Sequence, residues 1–389
     1  MAAKPSAETL NKAKDQLLIF KPAPIALPVH APSPTMEPEF IAIRDHANFK
    51  KRPFAIIARS DTTPETSLHL PDDNWNLGSA GKLGVAVGAF ALRHDVRKLR
   101  TASVVNSLAE ADAVMEHVWS LSNRQDVKNI ALERGFPIPS LVLEWDAAGV
   151  FFKGERTAVD YGKITSLPYA SWTTLIPAIE ALMFWEHLVN MIKASDGIST
   201  RIIQGAVGIR YTVFATEALG LFNPTTKKGL RIAGAYGPSA QGHLTVRQPI
   251  TAWSYFPKGQ RGSGDRVELH YCGTARTLAA LINAIFTDKF IDPGASAQFR
   301  DLMLYRSGMS IDTETLVGIR KYMTENPPIV ETSHDAWLKV GIWNGRTNVT
   351  AIKYGDLDHG SVLLGFTGKP TGKDFGFRVE KLMESMFPV

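Results

Sequence analysis

The sequence has one cysteine, Cys272, among its 389 residues, and no apolar run approaches the roughly 18 residues that a membrane span needs. One cysteine excludes an intrachain disulfide and a cysteine-based zinc site. The ten histidines never pair at the spacing of metal ligands. We therefore expect no metal, no cofactor and no membrane partner.

A secretory signal is also missing, because residues 1–21 contain no apolar core of the kind that such signals have. The expected location is the cytoplasm, or the periplasm or the exterior if a leader has been removed.

Basic charge is slight and dispersed. The formal net charge is +5, and the only tight basic runs, 50–52 and 227–228, contain no interleaved aromatic residues. Nucleic-acid-binding proteins concentrate their lysines and arginines on one face or one element. The sequence therefore predicts no nucleic-acid partner.

Proline is concentrated near the start of the chain, with six prolines within residues 22–38. Such a segment forms neither a helix nor a central strand. We predict that residues 1–50 form an extended arm on the main domain or on a second subunit, which makes the arm a candidate contact in a homo-oligomer.

Strand patterns lie at both ends of the remaining chain, and helical patterns fill its middle. The pattern predicts an α+β fold with one antiparallel sheet built from both chain ends, flanked by helices, and an inserted all-α region. The domain would span 51–389, with an α/β part at 51–95 and 330–389 and a mainly helical part at 96–329. The predicted strands are 53–59, 67–70, 337–342, 349–354 and 361–366, with a small hairpin at 141–152. One helix is predicted to begin at Ser79. The other predicted helices cover 172–193, 274–286, 293–306 and 377–387.

Three short motifs carry the candidate chemistry: Ser79-Ala-Gly-Lys82, Ser195-Asp196-Gly197 and Lys339-Val340-Gly341. Residues at i and i+3 share one face of a helix, so Lys82 can reach the Ser79 hydroxyl. Burial and a second ammonium group, that of Lys339, would lower the pKa of Lys82 toward the range of a base. The alternative is a helix-capping Ser79 with a solvated Lys82, but the run after Lys82 is almost wholly apolar.

These motifs resemble the S-x-x-K, S-D-N and K-T-G set of class A β-lactamases and penicillin-binding proteins. The similarity extends to the surroundings of each motif and covers about residues 53–389, with an enlarged insertion at about 96–170. The similar segments are 76–82 with the apolar helix after it, 195–205, 273–303 and 339–368.

The resemblance implies an acyl-enzyme formed on Ser79 with an ester, amide or lactam. In that reading Lys82 is the base, Ser195 relays a proton to the leaving group, and Lys339 positions Ser195 and attracts an anionic substrate. The backbone N–H groups of Ser79 and Ile342 would form the oxyanion hole. The residues implied in substrate binding are Asp196, Gly197, Val340 and Gly341.

The motifs also depart from the family pattern. Gly197 replaces the family's asparagine, and Val340 replaces a hydroxyl residue that helps to hold a β-lactam carboxylate. No deacylating carboxylate can be assigned among Glu217, Asp265 and Glu268. We therefore expect weak or no true β-lactamase turnover, and two alternatives stay open: a non-catalytic binding protein and an acyltransferase.

The insertion is rich in aromatic residues, which suggests either a lid over Ser79 or additional core. These residues are Trp145, Phe151, Phe152, Tyr161, Tyr169 and Trp172.

Overall fold

The computed structural model describes residues 4–27, 38, 41, 54–60, 63–132, 135–159, 182–232, 271–305, 336–343, 346–354 and 361–365. The chain divides into two compact units. The helical unit comprises Met1–Pro24, Lys82–Phe222 and Arg231–His270, and the sheet unit comprises Ile25–Gly81, Asn223–Leu230 and Tyr271–Val389. The unit boundary therefore lies at Gly81, earlier than predicted, and residues 271–305 belong with the sheet instead of with the helical part.

The helical unit is built mainly from eight described helices. They are α1 (Ala7–Lys14), α2 (Lys82–Thr101), α3 (Leu108–His117), α4 (Gln125–Leu132), α5 (Pro139–Val142), α6 (Phe184–Lys193), α7 (Gly197–Val207) and α8 (Ile209–Ala218). A 3₁₀ turn, Val118–Leu121, follows α3, and the predicted hairpin is present as β4 (Leu143–Asp146) and β5 (Gly149–Phe152). Short strands lie at Phe222–Asn223 (β6) and Arg231–Ile232 (β8).

Helix α2 is the centre of the helical unit's core, as its apolar sequence predicts. Fifteen of its 20 residues are buried, and it packs against α7 and α8. The arginines of α2 recur at helical spacing on the face toward the hairpin. Among them, Arg93 pairs with Glu155 at 2.7 Å and lies 4.4 Å from the centre of the Phe152 ring. This packing orients the helix whose first residue is Lys82.

The sheet unit contains a six-stranded antiparallel sheet in the order β10-β11-β12-β13-β1-β2. These strands are β1 (Phe54–Ser60), β2 (Thr63–His69), β10 (Leu304–Tyr305), β11 (Ala336–Trp343), β12 (Arg346–Tyr354) and β13 (Ser361–Gly365). Strand β1, from the first part of the chain, pairs with β13 from the last part, so the predicted sheet from both chain ends is confirmed. Helix α9 (Ala275–Phe286) packs on β1 and β13, and α10 (Pro293–Met303) packs on α9.

Several predicted bounds were wrong. Of the helix predicted at 172–193, the structure describes Phe184–Lys193 as helix and leaves Leu182 and Met183 outside it, while 172–181 lie outside the described residues. The helix predicted at 293–306 ends at Met303, and β10 begins at Leu304. Strand β2 begins at Thr63 instead of Ser67. The helix predicted at 377–387 lies outside the described residues.

The N-terminal arm was also predicted too broadly. Ser6 caps α1, and Leu10, Ala13, Leu17 and Leu18 are buried in the helical unit. The Leu18 N–H donates to the buried Asp95 carboxylate at 2.9 Å, and the Tyr211 hydroxyl donates to its other oxygen at 2.8 Å. The first residues thus belong to a folded unit, whereas most of residues 28–50 lie outside the described part.

No helix of the described residues is long and apolar enough to cross a membrane.

Gly88 allows α2 to approach α8 closely. A Cβ atom at Gly88 would overlap Thr212 Oγ1 and lie 3.0 Å from Thr212 Cβ. We expect Gly88→Ala to lower the free energy of unfolding by about 1–3 kcal/mol, measured by urea denaturation, because overpacking forces a backbone shift. In a Thr212→Ala background the same change should cost less, and an equal cost in both backgrounds would show that the two residues are not coupled.

Candidate active site

Ser79 lies in a short turn of the sheet unit, one turn before the helix that the sequence predicted to begin at this residue. The 3₁₀ turn Gly78–Gly81 holds Ser79 half-buried, and the α-helix begins only at Lys82. The turn follows β3 (Trp75–Asn76), which pairs with β9 (Tyr271–Gly273). Gly273 permits close contact with Leu77, since a Cβ there would lie 2.9 Å from Leu77 Cδ1. Strand pairing and this contact therefore fix the chain just before Ser79.

Side chains of the preceding loop anchor the same segment. Asn74 donates to the Lys227 carbonyl at 2.8 Å and accepts from the Gly229 N–H at 3.1 Å, which joins it to the turn before β7 (Lys228–Gly229). Asp72 forms a bidentate pair with Arg276, at 2.7 and 3.0 Å, which holds the pKa of Asp72 below its usual value. The loop is thus tied to the 227–229 segment and to Arg276 at the start of α9, all within the sheet unit.

Strand β11 runs beside the Ser79 turn and carries Lys339, Val340, Gly341 and Ile342. The Lys339 side chain is only 3% exposed, and burial lowers its pKa to about 7. The pairing of β11 with β12 shifts register between Gly341 and Ile342: Gly341 faces Val349 and Ile342 faces Thr347. Asn348 is therefore the extra residue of a bulge, and bulges redirect backbone and side-chain groups next to many active sites.

The burial of Lys339 predicts a specific dependence of stability on pH. Since its pKa falls from 10.5 to about 7 on folding, the unfolded chain binds more protons between these two values. The free energy of unfolding should therefore rise with pH across that window, by at most about 1.4 kcal/mol per pH unit. Lys339→Met should lack this rise, as measured by urea denaturation at pH 7 and pH 9.5.

Lys289→Met is the control, because Lys289 is exposed and its replacement removes a lysine without removing a buried one. Parallel pH profiles for the wild type and Lys339→Met would contradict the desolvation of Lys339.

Lys82 and Ser195 meet within the helical unit although 113 residues separate them in sequence. Lys82 is 0% exposed, and its Nζ donates to the Ser195 carbonyl oxygen and, at 3.2 Å, to Ser195 Oγ. The alternative of a solvated Lys82 is therefore wrong. Of the sequence-predicted residues in this unit, the structure brings these two into direct contact.

Ser195 occupies a strained turn between α6 and α7. Its φ is +56°, a left-handed conformation that costs a residue with a Cβ about 1–2 kcal/mol. Asp196 caps α7 by accepting from the Ser199 N–H at 2.5 Å, and Gly197 is the first residue of that helix. The S-D-G motif therefore fixes both the entry of α7 and the position of the Ser195 hydroxyl.

A buried polar cluster behind this turn was missed by the sequence analysis. It consists of His187 and Asn190 on α6 and Ser199 on α7. Asn190 Nδ2 donates to Ser199 Oγ at 3.0 Å, and His187 Nδ1 lies 3.2 Å from the same oxygen. A signal was available, because the two α6 residues are polar positions three apart in a helix that is otherwise apolar on its buried side.

The described aromatic residues of the insertion lie on the hairpin of the helical unit. Phe152 is fully buried against Phe90, and Arg97 and Arg156 lie over Phe151, while Arg100 lies over Trp145. These contacts favour additional core over a lid for Phe152, whereas Trp145 and Phe151 are half-buried and covered by arginines. Tyr161, Tyr169 and Trp172 lie outside the described residues.

No protein-family model matches the sequence, and no curated protein matches it. Among solved structures, a β-lactamase from Chitinophaga pinensis is 12% identical, with 90% of this chain and 96% of that chain covered and a TM-score of 0.44. PBP-A is 11% identical, with coverage of 92% and 97% and a TM-score of 0.46. A class A β-lactamase from Bacteroides cellulosilyticus is 10% identical, with coverage of 92% and 98% and a TM-score of 0.45.

Proposed function

We propose that this protein is a serine hydrolase that forms an acyl-enzyme on Ser79 with an ester, amide or lactam. The contact between Lys82 Nζ and Ser195 Oγ supports this most strongly. Burying an ammonium group is costly, and here the buried ammonium of Lys82 bonds to both the backbone carbonyl and the hydroxyl of one serine. A base and a proton relay need such a contact.

In the proposed reaction the Ser79 Oγ attacks the carbonyl carbon of the substrate while Lys82, in its neutral form, takes the hydroxyl proton. The backbone N–H groups of Ser79 and Ile342 stabilise the negative charge on the carbonyl oxygen, a contribution worth about 10²–10³ in rate for each donor. The bond to the leaving group then breaks, and the proton passes from Lys82 through Ser195 to that group. Water completes the cycle by releasing the acyl group as an acid.

Deacylation is the slow step in this proposal. Glu217, one of the three carboxylates considered for it, lies on α8 and accepts from Arg124 through both of its oxygens, so it is held away from the role of a base. Asp265 and Glu268 lie outside the described residues. Together with Val340 in place of a hydroxyl residue, this supports weak turnover of β-lactams.

The test is a time course of intact mass after mixing the protein with a p-nitrophenyl ester or a penicillin. We expect a rapid mass increase equal to one acyl group, followed by slow loss of that mass. If no acyl donor of either class yields an adduct, the non-catalytic binding protein becomes the better account. Faster loss of the adduct on addition of an amine or alcohol acceptor would identify an acyltransferase.

A further inference from the structure

The geometry points to His187, Asn190 and Ser199 as positioning residues that hold the Ser195 hydroxyl in place for proton transfer to the leaving group. This inference rests on the proposed function and adds to it three residues that do not contact the substrate.

Hydrogen bonds to the Ser199 hydroxyl hold the cluster together. Asn190 Nδ2 donates to Ser199 Oγ, so the hydroxyl hydrogen of Ser199 is left for an acceptor, and His187 Nδ1 lies at 3.2 Å. Burial lowers the pKa of His187 to about 4, which keeps the imidazole neutral at pH 7 and leaves Nδ1 able to accept. The three residues are 0–3% exposed and bond to one another, and we assign them to positioning instead of to contact with a substrate.

The same residues hold both ends of the turn that carries Ser195. The Asp196 N–H donates to the Asn190 carbonyl at 3.2 Å, and the Ala194 N–H donates to the same oxygen at 3.1 Å. The Ser199 N–H donates to the Asp196 carboxylate. Asn190 and Ser199 are therefore linked to each other by their side chains and to the turn by their backbones.

A strained turn needs such support. The left-handed conformation of Ser195 persists only where its surroundings outweigh its cost. A buried polar cluster contributes little stability beyond an apolar replacement of the same shape, so we infer that its role is geometric. If the cluster is lost, the turn can relax and the Ser195 hydroxyl moves away from Lys82 Nζ.

Dependence on the leaving group separates positioning from a merely structural role. An ester of p-nitrophenol needs no proton to lose its stable phenolate, whereas the ethyl ester of the same acid must have its alkoxide protonated. The experiment measures acylation of the full chain by both esters for Asn190→Leu, Ser199→Ala and Ser195→Ala. We expect the two cluster variants to lose about 10–100-fold in acylation by the ethyl ester and less than about 3-fold with the p-nitrophenyl ester.

Thr216→Val is the matched control, because Thr216 is a buried hydroxyl of the same unit that bonds only locally, to the Val213 carbonyl. It should change the two rates by the same factor. Ser195→Ala should show the same selectivity as the cluster variants, and adding Ser199→Ala to it should have no further effect on the ethyl ester.

Two failures are distinguishable. A selective loss in Ser195→Ala but not in the cluster variants would overturn the positioning role and leave the proposed function intact. An equal loss with both esters in Ser195→Ala would overturn the proton relay itself. Ser199→Ala, the smaller change, decides the matter if Asn190→Leu does not fold.

Discussion

Replacing Ser79 with alanine is expected to abolish the acyl adduct and to lower the rate of ester hydrolysis by at least about 10³-fold. The reason is that only Ser79 combines a half-buried hydroxyl with a position in the turn that strand β11 flanks. Alanine removes one oxygen atom and fits the same turn, so the fold should be unaffected. Intact mass after mixing with an acyl donor reports the loss directly.

The exposed Ser120 is a suitable control, since its hydroxyl donates locally to the His117 carbonyl. Ser120→Ala should form the adduct at the wild-type rate. An adduct of unchanged yield in Ser79→Ala would contradict the assignment of the nucleophile.

The second large effect is expected at Lys82. Lys82→Met should slow acylation by about 10²–10⁴, because the reaction then lacks its base and Ser195 loses its hydrogen-bond donor. Methionine fills similar space without a charge to desolvate, but it also removes the hydrogen bond to the buried Ser195 carbonyl, so the free energy of unfolding should fall by no more than about 1–3 kcal/mol and the variant should remain folded. A stable but slow variant separates catalysis from folding.

Arginine at the same position gives a matched comparison. A guanidinium group keeps the positive charge but does not release its proton at neutral pH, so Lys82→Arg should not restore acylation. If Lys82→Arg acylates at the wild-type rate, Lys82 acts through its charge alone and the role of base is wrong.

Much of the fold followed from local patterns. An apolar, β-branched run identified β1, and alternating apolar residues identified β11, β12 and β13. Their positions at opposite ends of the chain led to the correct sheet. The apolar run after Lys82 correctly predicted a buried helix. Burial of the lysine itself followed from that run, since a helix without a polar face leaves an ammonium group no route to solvent.

The boundaries of helices were harder to predict than their presence, because the spacing of apolar residues does not show where a helix begins. The pattern continued through Leu182 and Met183, yet the helix begins at Phe184. Glu186 accepts from the Met183 N–H at 2.7 Å, so an acidic residue in the first turn was the signal that marked the boundary.

The contact between Lys82 and Ser195 could be expected from the motifs, but its support could not. His187, Asn190 and Ser199 meet because two helices cross, and no local pattern specifies which residues face each other at such a crossing. The bulge opposite Ile342 is likewise a property of strand pairing, which a single strand's sequence does not reveal.

The most direct test of the account is to locate the acyl group in the unaltered protein by peptide mapping after reaction with a p-nitrophenyl ester. The account predicts a single modified peptide, with the acyl group on Ser79. Modification of Ser195 instead, or of scattered lysines without any serine adduct, would contradict it.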